Sequence, residues 1–173
     1  MRVVAGEFRG RRLAAPRGIR TRPTADRVRE ALFSILGDVS AARVLDLYAG
    51  SGALGIEALS RGAESVVFVE RDPRAVAAIE RNLESLGLQQ TVLKQDAVRF
   101  MARGEGTFDL VFCDPPYDSA SRLAGLLAEH LPEVTSEDAR IVTESDKRYP
   151  LELPFPLLTE RTYGDTRIAI HGR

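Results

Sequence analysis

Between residues 43 and 55 the chain reads Arg-Val-Leu-Asp-Leu-Tyr-Ala-Gly-Ser-Gly-Ala-Leu-Gly, an apolar run that breaks into Gly50-Ser51-Gly52-Ala53-Leu54-Gly55. A G-x-G-x-x-G between a strand and a helix constrains the fold strongly. Its first glycine permits the tight turn, its second lets a ligand approach the backbone, and its third lets the helix lie close on the sheet. The next apolar run, Ser65-Val66-Val67-Phe68-Val69-Glu70, ends on an acid 20 residues after Gly50. A carboxylate there accepts two hydrogen bonds from the diol of a ribose. The pair predicts a nucleoside-binding unit, where glycines in a bare tight turn would serve backbone geometry alone.

The rest of the chain repeats the alternation. Strand-like runs over 43–48, 65–70, 91–94, 108–113 and 139–144 are separated by helical patterns over 73–86, 97–102 and 119–131, besides the helix that the glycine turn opens. Strands joined by helices imply a mainly parallel sheet covered on both faces, an α/β Rossmann-like architecture. Between 157 and 170, Gly164-Asp165 separates two strand-like runs, which predicts a C-terminal antiparallel hairpin. At the other end, residues 2–13 alternate loosely around Gly6 and Gly10 and read as a short β-hairpin. A Pro/Gly/Arg-rich link over 16–23 follows, and Thr24 caps a helix that Gly37 stops. The expected division is a basic N-terminal extension over 1–20 and one enzyme domain over 21–173.

The ligand of the glycine turn is narrowed by its neighbours. Ile56 stands where a phosphate-binding loop requires lysine. Asp46 ends the strand four residues before Gly50, and a carboxylate there would repel a pyrophosphate seated on the helix N-terminus. A buried anion suits a cationic ligand instead, such as the amino and sulfonium groups of S-adenosylmethionine. Asp96, just past the third strand, is placed either to accept from an adenine amine or to cap the following helix.

A second signature follows the fourth strand: Asp114-Pro115-Pro116-Tyr117. Two prolines stiffen the backbone and remove two donors, leaving carbonyls free to accept. Asp114 and the Pro115 carbonyl can then take both protons of a planar exocyclic amine, while Tyr117 offers a face on which a base can stack. Held this way, the nitrogen lone pair leaves conjugation and faces a methyl donor. Such positioning lowers a barrier by about 7–11 kcal/mol, without a strong base. Carbon-5 methylation of cytosine uses a cysteine after a proline; Cys113 follows Phe112 inside a strand and reads as a small core residue.

Charge is unevenly divided. The chain of 173 residues carries a net −1, yet residues 1–30 hold nine arginines against three acids, leaving 15 bases and 22 acids for the remainder. A basic head on an acidic body points to an anionic partner at one end. The lone cysteine and two separated histidines offer no metal-ligand spacing. No apolar run is long enough to span a membrane, and the N-terminus lacks a signal-peptide core, so a cytoplasmic, membrane-free protein is expected.

In the order acid, glycine turn, ribose acid, adenine acid and Asp-Pro-Pro-Tyr, residues 43–117 resemble class I S-adenosylmethionine-dependent methyltransferases that act on amino groups. The resemblance implies S-adenosylmethionine as cofactor, held by Asp46, Tyr48, Ala49, Gly50, Ser51, Gly52, Glu70, Arg71, Asp96 and Ala97, with Asp114, Pro115, Pro116 and Tyr117 at the catalytic edge. Phe8-Arg9-Gly10-Arg11-Arg12-Leu13, Arg22-Pro23-Thr24-Ala25-Asp26-Arg27-Val28-Arg29-Glu30 and the segment 47–55 further resemble the RsmD family of bacterial small-subunit ribosomal RNA guanine-N2 methyltransferases. That likeness implies methylation of guanine 966 of 16S rRNA, within the 30S subunit or an assembly intermediate, by a monomer. Arg9, Arg11, Arg12 and Arg20 are the expected phosphate contacts, with Arg22, Thr24 and Arg27 nearer the pocket. The unpaired target base would be held by these groups and by the RNA's own presentation.

Alternatives remain on the residues alone. The same chemistry on adenine N6 is one. A protein-glutamine methyltransferase usually carries Asn in place of Asp114. An NAD-linked oxidoreductase is disfavoured by Asp46, and a non-catalytic RNA-binding module by the intact Asp114–Tyr117 signature.

Overall fold

The computed structural model describes residues 1–16, 26–115 and 120–173. Its elements are α1 (Asp26–Leu36), β1 (Arg43–Leu47), α2 (Ala53–Ser60), β2 (Ser65–Glu70), α3 (Pro73–Leu86), β3 (Thr91–Lys94), α4 (Ala97–Met101), β4 (Phe108–Cys113), α5 (Ala120–Val134), β5 (Thr135–Asp146), β6 (Leu157–Tyr163) and β7 (Thr166–Gly172). The strands form one seven-stranded sheet in the order β3-β2-β1-β4-β5-β7-β6. β1 to β5 run parallel, while β7 is antiparallel to both β5 and β6. The Rossmann-like sheet with its C-terminal hairpin is therefore as the sequence pattern implies.

Local chemistry explains the punctuation. Asp72 accepts from the Arg74 N–H at the start of α3, Pro73 occupies the first turn, and Gly87 ends the helix at φ 70°. These are the expected start and stop signals. Some boundaries differ from the sequence reading. α5 continues past the expected 131 to Val134 despite Pro132, with the Thr135 hydroxyl donating to the Leu131 carbonyl at 2.8 Å. β5 begins at Thr135 rather than 139, because Thr135 already pairs with Phe108 before a register shift.

Each face of the sheet has its own core. One face packs Val44, Val66, Phe68, Leu110, Phe112, Val142, Ile168 and Ile170 against Leu32, Phe33 and Leu36 of α1, and the Phe33 and Phe112 ring centroids lie 5.7 Å apart. The other packs Leu45, Leu47, Val69, Val111 and Ile141 against Phe100, Met101, Leu127 and Leu131 of α4 and α5. Arg140 closes the C-terminal end of α1, donating to the carbonyls of Leu36 and Asp38.

The N-terminal segment is joined to the first of these cores through buried Val3 and Leu13. The two arms of the expected hairpin meet in one antiparallel bridge, Arg2 to Arg12. Val3 N–H donates to the Arg11 carbonyl at 2.9 Å, Gly10 N–H to the Val3 carbonyl at 2.9 Å and Leu13 N–H to the Met1 carbonyl at 3.1 Å. Donors of the bend between the arms go to α2 instead. Val4 and Ala5 N–H donate to the Glu57 carboxylate at 2.7 and 3.0 Å, and Glu7 N–H donates to the Ser60 carbonyl at 2.8 Å. Gly6, at φ 81°, passes so close to α2 that a Cβ would fall 1.7 Å from the Ser60 carbonyl oxygen.

The topology places the ligand crevice. Winding reverses between β1 and β4, which are neighbours, and the loops after their C-terminal ends separate there. Such a switch point is where open α/β sheets bind ligands.

Candidate active site

The glycine turn sits at that switch point. Tyr48 takes a left-handed φ of 58°, followed by Gly50 at 58° and Gly52 at 75°. A tyrosine held there stores strain of order 1–3 kcal/mol, which the packed strand beneath must offset. Gly52 N–H donates to the Ala49 carbonyl at 2.7 Å, and Asn82 of α3 donates to the Ser51 carbonyl at 2.9 Å, so the turn is tied at both ends. Gly55 has a packing role. A Cβ on it would lie 2.4 Å from the Phe68 ring, so α2 can approach β2 only without a side chain there.

Four carboxylates end neighbouring strands on the same face. Side chains alternate across a sheet, so Asp46, Glu70, Asp114 and Glu144 share the face of Val44, Phe68, Phe112 and Val142, each two residues earlier. Asp46 is only 2% exposed and accepts from the Gly55 N–H at 2.9 Å. Burial, with the Glu70 charge adding to it, pushes its carboxyl up from 3.8 to about 8. Glu70 accepts from Gly50 N–H at 2.9 Å and Asp72 N–H at 2.8 Å, one bond per oxygen. A carboxylate has about four acceptor positions, so room for a ribose diol remains.

Asp114 follows β4 and is partly exposed, with Pro115 buried behind it. Burial, then the charge of Glu144 and then that of Asp46, holds the Asp114 carboxyl well above the ordinary carboxylate range. Cys113 is buried, and its thiol is pushed up by burial and by Asp114 and Asp46, which makes it an inert core residue as expected. Pro116 and Tyr117 lie outside the described residues. Among the described residues, no three His, Cys, Asp or Glu side chains converge as metal ligands would, and no helix is long and apolar enough to cross a membrane.

The remaining cofactor candidates surround the same crevice. Asp96 is the N-cap of α4, accepting from Arg99 N–H at 3.1 Å, so the capping alternative is realised and its other acceptor positions face outward from that bond. Ala97 and Ala49 are buried, Ser51 is half-buried and Arg71 is exposed. The Tyr48 hydroxyl is buried and has no hydrogen-bond partner among the described residues. A positively charged ligand with donor groups fits this chemistry. It would satisfy an acid whose one N–H partner among the described residues is Gly55, and a hydroxyl with none among them, groups that are costly if left bare. S-Adenosylmethionine is such a ligand.

Of the predicted RNA contacts, Arg9, Arg11, Arg12 and Arg27 are exposed. Arg11 donates to the Ser85 carbonyl at 2.6 Å near the end of α3, while Arg9, Arg12 and Arg27 make no ion pair among the described residues. Arg20, Arg22 and Thr24 lie outside the described residues, so the helix cap expected of Thr24 does too. Arg29, counted in the basic head, is fully buried: it donates to Asp26 and to the Arg2 carbonyl, and its Nε lies 3.8 Å from Glu57.

Two further acids matter that sequence reasoning missed. Glu57 is fully buried and acts as an anchor for the N-terminal segment. Glu144 is 5% exposed at the C-terminal end of β5. Its signal was visible, since Ala-Arg-Ile-Val-Thr-Glu carries an apolar run up to an acid, as the runs before Asp46, Glu70 and Asp114 do.

The whole chain matches known proteins. A family model described as Conserved hypothetical protein 95 covers residues 1–172. YlbH of Bacillus subtilis (strain 168), provisionally named an rRNA methyltransferase, is 41% identical over 100% of this chain and 99% of its own length. Ribosomal RNA small subunit methyltransferase D of Haemophilus influenzae is 37% identical, covering 95% of this chain and 89% of that protein. A solved structure of a hypothetical protein from Thermus thermophilus superposes with a TM-score of 0.86 at 31% identity, over 100% of this chain and 99% of that one.

Proposed function

The chain belongs to the Conserved hypothetical protein 95 family and is an S-adenosylmethionine-dependent methyltransferase, and from that premise we propose that it methylates the exocyclic N2 of a guanine in 16S ribosomal RNA. The position implied by resemblance is guanine 966, presented in the cytoplasm by the 30S subunit or its assembly intermediate. The observation that carries the reading is the juxtaposition at the switch point. The buried Asp46 carboxyl and a glycine turn lie beside Asp114-Pro115, with an exposed arginine segment attached to the same core. Names of relatives at 37–41% identity point to ribosomal RNA as the substrate class.

When bound, S-adenosylmethionine supplies an electrophilic methyl on a sulfonium. Asp46, Tyr48, Gly50, Gly52 and Glu70 are the residues that would hold it. Asp114 and the Pro115 carbonyl accept the two N–H groups of the amine and turn its lone pair out of the ring's conjugation. Ionised Asp114 is the accepting form. Burial and the neighbouring acids disfavour that form in the empty site, and N–H donors with a positive charge bound beside it restore it. The nitrogen needs no prior deprotonation: its lone pair would take the methyl as the S–C bonding pair stays on sulfur, and the proton it then sheds would pass to the Asp114 carboxylate. Arg9, Arg12 and Arg27 contact phosphates, which fixes the RNA's position but reads no sequence.

The deciding experiment incubates the protein with labelled S-adenosylmethionine and 30S subunits lacking the modification, then maps the methyl group. Label on guanine N2 supports the reading; label on adenine N6 or on protein replaces it. Asp114→Ala is expected to lower turnover on the order of 10³-fold, out of the larger positioning effect available, while cofactor affinity measured by calorimetry stays within a few-fold. Retained turnover would discard the amine-holding role.

A further inference from the structure

We infer that Tyr149 is a stacking platform for an RNA base that flanks the target nucleotide, mounted on the rim of the site beyond β5. The inference rests on RNA being the substrate. It goes beyond the guanine-N2 reading, since an aromatic face accepts any base.

The placement comes from the sheet, whose two halves have different tasks. The cofactor candidates Asp46, Glu70 and Asp96 lie at or just past the C-terminal ends of β1, β2 and β3, and Asp114 follows β4. Beyond β4 the order continues β5-β7-β6. A polynucleotide that presents an amine to Asp114 therefore crosses the end of β5, because the other side is taken by the cofactor. β5 runs from Thr143, which pairs with Cys113, on to Asp146. Tyr149 N–H then donates back to the Asp146 carbonyl at 3.0 Å. At about 3.3 Å per residue, the end of β5 stands about 10 Å past the Cys113 pairing. The nucleotide next to the target meets this turn.

Single exposed side chains of this kind are ordinary on a protein surface; the mount of this one is unusual. Tyr149 is 65% exposed, and among the described residues it is the one aromatic side chain classed as exposed. The backbone on both sides of it is nevertheless fixed. The Asp146 carboxylate accepts from Arg148 N–H at 2.8 Å and from its Nε and Nη2 at 2.9 and 2.7 Å. Lys147 N–H donates to the Asp165 carbonyl at 2.8 Å, and Leu151, two residues after Tyr149, is fully buried. A ring on a held backbone offers its face at little ordering cost. The cations beside it are already paired, Arg148 with Asp146 and Lys147 with Asp165 at 3.1 Å. The turn therefore attracts phosphate weakly and offers chiefly the ring. Unpaired RNA is bound through such faces, by stacking of its bases.

The test measures binding to 30S subunits lacking the modification, by co-sedimentation across a salt series, beside the methyl-transfer assay. Tyr149→Ala is expected to weaken binding about 10-fold, the scale of one stacked base. Its thermal midpoint should hold, and so should the salt slope, because no phosphate contact is lost. Tyr149→Phe keeps the face and is expected to bind as the unaltered chain does. The sequence holds no tryptophan, so Tyr149→Trp introduces a single one. Its emission, after subtraction of the subunits' own, is expected to be quenched on binding. Leu158→Trp is the control: Leu158 is exposed at the His171 end of the β6–β7 hairpin, whereas Asp146 pairs with Thr166 at the other end. Unchanged binding in Tyr149→Ala, an equal loss in Tyr149→Phe, a changed salt slope, or equal quenching at the two tryptophan positions would overturn the platform while RNA methylation stands. If the unaltered protein transfers no methyl group to RNA, the substrate reading falls by itself, before any variant is compared.

Discussion

Asp46 meets the first turn of α2 and Glu57 lies within that helix, both are at most 2% exposed, and their surroundings are opposite. Glu57 accepts from Val4 N–H, Ala5 N–H and, at 2.9 Å, Arg61 Nε, with Arg29 Nε at 3.8 Å. Among the described residues Asp46 accepts from one N–H, that of Gly55, and the charge acting on it is that of another acid, Glu70. A buried charge is tolerated when donors and counter-charges surround it and costs several kcal/mol when they do not. Glu57 is therefore finished by the chain itself and works as a rivet between the N-terminal segment and α2. Asp46 is left to be completed by a ligand. The contrast separates structural from functional acids within one core, where burial alone would rank them together.

The largest effect should come from the rivet. Glu57→Ala leaves Arg29 buried without its facing carboxylate and two backbone donors unsatisfied, so a loss of about 3–5 kcal/mol in unfolding free energy is expected from urea titration. A loss under about 1 kcal/mol, the scale of an exposed ion pair, would show that Glu57 is no more completed than Asp46.

Asp46→Asn should do the reverse. Unfolding free energy holds or rises, while affinity for S-adenosylmethionine falls by about 10- to 100-fold, the scale of one charge-assisted hydrogen bond. The pH dependence sharpens this. Asp46 sits at about 8 in the folded chain against an ordinary 3.8, so between those values the folded state keeps a proton that the unfolded state releases. Stability of the ligand-free protein must then fall as pH rises through that window. Asp114, raised in the same direction, adds to the slope. Thermal midpoints from about pH 5 to 8 should decline in the unaltered protein and decline less in Asp46→Asn. Equal slopes would remove the buried acid from the account.

The smallest effects belong to exposed arginines. Arg9→Ala and Arg12→Ala should leave stability within about 0.5 kcal/mol and reduce the salt slope of RNA binding by about 0.7–0.9 for each phosphate no longer neutralised. Deleting the segment is a poorer probe, because it also strips Val3 and Leu13 from the core. An unchanged slope would place the RNA elsewhere.

Much of the fold was legible because its signals are local. Apolar runs broken by Gly37, Gly50, Gly52 and Gly87, and the Asp72-Pro73 helix start, act through backbone geometry within a few residues. Asp46, Glu70 and Asp114 were legible for the same reason, each ending an apolar strand. The head misled in part: nine arginines looked like one basic surface, yet Arg29 is buried against Glu57 and Arg11 is engaged on α3. Charge counting sees composition, whereas pairing partners 28 residues apart depend on how helices pack.

What the sequence determined by itself is the order of strands and helices, the glycine turn and the acids that close the strands, since period and turn chemistry are properties of short windows. What only the tertiary structure decided is which acids are neighbours. The parallel register of β4 on β5 brings Asp114 and Glu144 together, and the turn of α2 onto β2 buries Asp46 under a single N–H. Those distances are set by sheet pairing across long stretches of chain, and no local pattern encodes them.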